Sequence, residues 1–145
     1  MRKIIILSSL FLISDLIFAT EVTLSCRGEW ETEATIDFGW TEREVNDSGS
    51  IFGEVTINAF DIDNDIFGIM YTNKSEPVGV FFPEDCSGEG DTLYCETDMR
   101  CSDNGKLCYK SEFKFFVNSE RFQYAQYSTN NDDTEQYEWH EGRCQ

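Results

Sequence analysis

EVTLSCRGEWETEATIDFGW, residues 21–40, decides the fold class. From Val22 its even positions read Val, Leu, Cys, Gly, Trp, Thr, Ala, Ile, Phe and Trp. Its odd positions read Glu, Thr, Ser, Arg, Glu, Glu, Glu, Thr, Asp and Gly. A two-residue period sends successive side chains to opposite faces of a pleated strand. Here one face is apolar and the other wet, the pattern of an antiparallel sheet with one solvated side. The run exceeds an ordinary strand length, which predicts a bulge or bend near residues 28–33.

The same alternation returns along the chain. GEVTINAFDI (53–62) and IFGIMYT (66–72) flank Asp63-Asn64-Asp65 and read as a hairpin, and VGVFF (78–82) reads as a short apolar strand. In LCYKSEFKFFV (107–117), Leu107, Tyr109, Ser111, Phe113, Phe115 and Val117 share one face against Lys110, Glu112 and Lys114. Asn118-Ser119-Glu120 turns the chain into RFQYAQYS, and EQYEWHEGRC closes it. No stretch combines a helical period with caps. The expectation is an all-β fold, a single antiparallel meander of about eight or nine strands. An up-and-down barrel is preferred to a two-sheet sandwich.

Residues 1–19 have a basic start (Arg2, Lys3), an apolar run and a small Ala19, the order of a secretory signal peptide. Taking those 19 from 145 leaves 126, residues 20–145, one all-β domain with enough chain for a real core. No second stretch is apolar enough for a transmembrane segment, so the mature chain is expected to be secreted or periplasmic. The formal charge is −17, and losing two bases and one acid with residues 1–19 brings it to −18. Such a field repels nucleic acid and favours basic proteins or cations.

The six cysteines, Cys26, Cys86, Cys95, Cys101, Cys108 and Cys144, form an even set in an exported small domain and read as disulfides. Cys26 and Cys144 fall in the first and last strands, which meet when a barrel closes. The other four lie in CSGEGDTLYCETDMRCSDNGKLC (86–108), within an acidic, disulfide-rich insert at 84–108. Cys86 with Cys95 and Cys101 with Cys108 is the preferred pairing, because Asn104-Gly105 signals a tight turn. Crossed pairing is the rival. Zinc favours closer cysteine spacing with histidine, and thioredoxin-type chemistry needs C-x-x-C; neither pattern is here.

Cys26-Arg27-Gly28 and Gly142-Arg143-Cys144 bracket the meander, whose penultimate hairpin is FKFFVNSERFQYAQYS. Together these resemble small secreted or periplasmic bacterial β-barrel proteins of unknown function, calycin-like in outline. The resemblance implies no catalytic residues and leaves the four-cysteine insert as this chain's own addition.

Other motifs give way to plainer readings. Asp61, Asp63 and Asp65 are calcium candidates by spacing alone, since an EF-hand needs Gly and Glu where Ile66 and Thr72 stand. Weak calcium binding by Glu84, Asp85, Glu89 and Asp91 is the other metal reading left open, and no cofactor is expected. His140 reads as a surface strand histidine, without a nucleophile set around it. Trp30 and Trp40 fall on the buried phase, which assigns them to core packing. The leading functional reading is a non-enzymatic binding or interaction protein, an inhibitor or immunity protein engaging a basic partner. Its acidic loop would present Glu84, Asp85, Glu89, Asp91, Glu96, Asp98 and Asp103. The alternative is a carrier of a small hydrophobic or sugar ligand inside the barrel.

Overall fold

The computed structural model describes residues 20–37, 42–61, 64, 66–130 and 134–145. These form ten strands: β1 (Thr20–Asp37), β2 (Glu42–Asp61), β3 (Ile66–Asn73), β4 (Glu76–Phe81), β5 (Cys86–Glu89), β6 (Thr92–Glu96), β7 (Arg100–Cys101), β8 (Leu107–Phe116), β9 (Arg121–Asn130) and β10 (Thr134–Cys144). They make one antiparallel sheet in the order β4-β3-β2-β1-β10-β9-β8-β6-β5, with β7 paired to β8. The all-β meander is therefore as the alternation requires, with ten strands among the described residues instead of eight or nine. The ladder is not closed. β4 and β5 are its two edges, joined by a single 3₁₀ turn at Pro83–Asp85, and the sheet curls until β5 packs against β3.

β1 is unbroken. Its register with β2 and β10 runs without a shift through residues 28–33, so the expected bulge is absent. Crowding there is relieved by glycine instead. Gly28 and Gly142 face each other across β1 and β10. A Cβ on Gly28 would sit 2.0 Å from the Glu141 carbonyl oxygen, and one on Gly142 would sit 2.2 Å from that of Arg27. Two adjoining backbones approach more closely than any side chain allows. The one shift in the β2–β3 hairpin lies between Ala59 and Asp61.

The even residues of β1 turn inward, joined by the odd residues of β8 and the even residues of β9 and β10. The core is Cys26, Ile51, Val55, Phe67, Ile69, Tyr71, Phe81, Leu93, Cys95, Phe113, Phe115, Phe122, Tyr124 and Cys144. Its rings are in mutual contact: Tyr71 lies 5.2 Å from Phe122, 5.5 Å from Tyr124 and 5.8 Å from Phe113 between centroids. Burying each such side chain is worth about 1.5–3 kcal/mol. Trp30 packs partly buried against this core, as its phase predicts, and covers Gly49 on β2. Trp40 lies outside the described residues.

All three disulfides join residues directly opposite in the ladder: Cys26–Cys144, Cys86–Cys95 and Cys101–Cys108. The preferred pairing is the observed one, and the crossed one is not. The segment 84–108 is nonetheless more than an exposed excursion. It contributes β5, β6 and β7 to the sheet, and Leu93 and Cys95 to the core. Hydrophobic mass is scarce in it because only Leu93, Cys95 and Thr97 of the segment are buried.

Candidate binding surface

The seven acids expected to act together are placed in separate settings. Glu89 and Asp91 sit at the tip of the β5–β6 hairpin. Glu84, Asp85, Glu96 and Asp98 lie toward its other end, and Asp103 belongs to the β7–β8 turn. Three of them are engaged in an ion pair or hydrogen bonds. Asp85 pairs with Arg100 at 3.1 Å and accepts from the Phe82 amide, Asp91 accepts from Asn118, and Glu96 accepts from the Tyr94 hydroxyl at 2.6 Å. That last bond, more than any other cause, pushes the Tyr94 hydroxyl above its ordinary range. The segment therefore uses part of its charge to hold its own shape. Asp63, Asp65 and the side chain of Asp61 lie outside the described residues. Among the described residues no group of three or more His, Cys, Asp or Glu is arranged to hold a metal ion.

His140 is not on the surface. It faces inward from β10 and is 3% exposed. Its Nδ1 lies 2.7 Å from the Tyr71 hydroxyl and its Nε2 lies 2.5 Å from Glu138 Oε1. A carboxylate only accepts, so Nε2–H donates to Glu138; with Nδ1 then the acceptor, the Tyr71 hydroxyl donates to it. Burial raises Tyr71 above the ordinary tyrosine range, with Tyr124 and Glu138 adding to it. Burial likewise pushes Tyr124 up to about 12, partly opposed by its hydrogen bond with Ser111. The Tyr124 hydroxyl donates within a second cluster, 2.7 Å from Gln126 Oε1 and 3.1 Å from the Val78 carbonyl. Tyr71 is wholly buried and the Glu138 side chain is 26% exposed, so the satisfied chain Glu138–His140–Tyr71 runs from the interior toward the surface.

The outward face of β1, β10, β9 and β8 carries the strongest ligand-like arrangement. Trp139 and Tyr137, each 43% exposed, stack with their ring planes 13° apart at 5.8 Å. Tyr127 joins Tyr137 across the strand boundary at 4.9 Å. The register seats Trp139 between Glu31 and Ala125, and Tyr137 between Glu33 and Tyr127, with Glu112 beyond Ala125 and Lys110 beyond Tyr127. Glu135 accepts from the Tyr127 hydroxyl at 3.3 Å. Three open grooves meet at Trp139: one over Ala125 toward Glu96 and Lys110, one over Glu31 and Glu33 toward Asn46, and one toward Glu29, Gln123 and Glu141. The small side chain of Ala125 leaves the notch beside the indole. Three π faces bordered by carboxylates suit a cation, which is drawn to ring and carboxylate alike.

No protein-family model, curated protein or solved structure matches the chain, so the calycin-like resemblance is neither supported nor opposed by a relative. Tyr127 and Tyr137, with Glu31, Glu33 and Glu135, are absent from the sequence-derived set. The available signal was Tyr-x-Trp in EQYEWHE. Neither phase of that stretch is apolar, so the outward one is fixed only by Cys144, four residues past His140 on the inward phase.

Proposed function

We propose that this is a binding module working outside the cytoplasm, which engages a basic protein through the glutamate-bordered face around Trp139. The observation that carries it is the exposed stack of Tyr137 and Trp139, with the half-buried Tyr127 tilted against it, set among Glu31, Glu33, Glu112 and Glu135. Large aromatics exposed together are the usual anchors of interfaces, and surrounding acids steer a cationic partner. The acidic tips at Glu89, Asp91 and Asp103 extend the same field. The export assignment rests on three disulfides. No helix among the described residues is long and apolar enough to cross a membrane. An inhibitor or immunity protein against a cationic hydrolase fits this description. The carrier alternative needs room inside, where Tyr71, Phe113, Phe122 and Tyr124 are already in ring contact.

The test is titration calorimetry against a panel of purified cationic hydrolases, lysozyme among them, at low and high salt. At least one should bind, more weakly in salt, and Trp139→Ala should reduce its affinity about tenfold or more. Glu31→Gln with Glu33→Gln should slow association. Affinity unchanged by Trp139→Ala, or no binding across the panel, would sink the reading.

A further inference from the structure

One register step past Glu29 and Glu141, the same sheet face changes sign. Arg27, Arg143 and Arg121 stand opposite one another on β1, β10 and β9, with Phe52 of β2 beyond Arg27 and Phe116 of β8 beyond Arg121. The chain has 28 acids and 11 bases, so three bases gathered in one row is contrary to its composition. All three are exposed. The Arg27 guanidinium lies 6.0 Å from the Phe52 ring centroid. Among the described residues none of the three makes an ion pair or a side-chain hydrogen bond to a carboxylate.

Like charges directly opposite in a ladder repel, so this row costs stability in the free protein. The backbone beneath it is also tightly constrained. On one side lies the Cys26–Cys144 disulfide, and on the other the Gly28–Gly142 contact that excludes any Cβ. Strands lie about 4.8 Å apart, so three guanidinium groups span about 10 Å along a straight line. Each offers a planar fork of donors that matches phosphate or sulfate oxygens two at a time.

We propose that the row of Arg27, Arg143 and Arg121 is a binding site for a linear oligoanion bearing phosphate or sulfate groups. A slender chain laid across the strands meets all three arginines and approaches Glu29 and Glu141 only at its edge. A broad acidic protein surface would meet the repulsion of the whole molecule. Phe52 and Phe116 close the two ends of the row with apolar surface. The site shares no residue with the Trp139 face and does not depend on it.

The probes are inorganic tripolyphosphate and a sulfated heparin tetrasaccharide, followed by calorimetry and by NMR of the arginine Nε–H groups. At least one should bind, perturb the three arginines and weaken with salt. The double variant Arg121→Gln/Arg143→Gln should bind about tenfold more weakly or worse. It should melt no lower than the parent, because its like-charge repulsion is gone. Trp139→Ala should leave this binding intact. The proposal is overturned if neither probe binds, if the double variant binds as the parent does, or if only anionic lipid vesicles are bound.

Discussion

Tyr71 is where the apolar core and the buried polar chain meet. Its ring touches Phe113, Phe122 and Tyr124, while its hydroxyl serves His140. Tyr71→Phe keeps the ring but leaves Nδ1 of His140 without a partner in a dry interior. The expected cost is about 1–3 kcal/mol, read from urea unfolding midpoints. A variant as stable as the parent would show that Nδ1 finds another donor. The cysteines differ just as sharply by position. Cys26, Cys95 and Cys144 are at most 1% exposed, whereas Cys101 is open to solvent. Under mild reductant in the folded state, mass-spectrometric thiol labelling should therefore reach Cys101 and Cys108 first. Cys26 and Cys144 should label only under unfolding conditions.

Among the elements, β1 and β10 decide the architecture, and the Gly28–Gly142 contact decides how they lie together. A Cβ at position 142 would meet backbone atoms of Arg27 and Gly28, which cannot swing aside as a side chain tip can. Gly142→Ala should cost about 3 kcal/mol or more in urea unfolding, at the upper end of overpacking penalties. Replacing both Cys26 and Cys144 with Ser should cost about 4–5 kcal/mol, since that bridge spans 118 residues of sequence. These elements were legible because alternation in residues 21–40 encodes both period and phase. The bulge expected there arose from applying typical strand length to a strand supported on both sides for most of its course. The phase of β10 was less legible, since Tyr137 and Trp139 alternate with Gln136, Glu138 and His140 and both sets are polar or amphipathic. Register against β9 and β1 settles it, which is information carried by other strands. That is why His140 read as exposed, and why Trp139 stood as a stacking candidate without Tyr127 and Tyr137 beside it.

At the scale of the whole molecule, negative charge is spread over the outside while the curled sheet hides uncharged tyrosines inside. The ladder's open edges are short, and Pro77 with Glu76 on β4 discourages another strand from adding there. Stability on the alkaline side should therefore be governed by the interior. Tyr124 is held at about 12 against an ordinary 10.0, and Tyr71 is shifted in the same direction. Between pH 10 and 12 the unfolded chain releases these protons while the folded chain keeps them. The folded state then binds more protons than the unfolded one, so stability falls as pH rises through that window and is fully present below pH 10. For Tyr124 alone the loss is about 2–3 kcal/mol by pH 12, at about 1.4 kcal/mol per pH unit. Denaturant midpoints measured across this range, with the disulfides kept oxidised, should decline steadily. The Tyr124→Phe variant should decline less steeply, because the hydroxyl that ionises only on unfolding is gone. Absorbance of the buried tyrosinates should appear with loss of sheet signal, not before it. A parent protein whose midpoint is flat from pH 10 to 12 would mean that water and hydroxide reach these rings in the folded state, and that the interior is not packed as described.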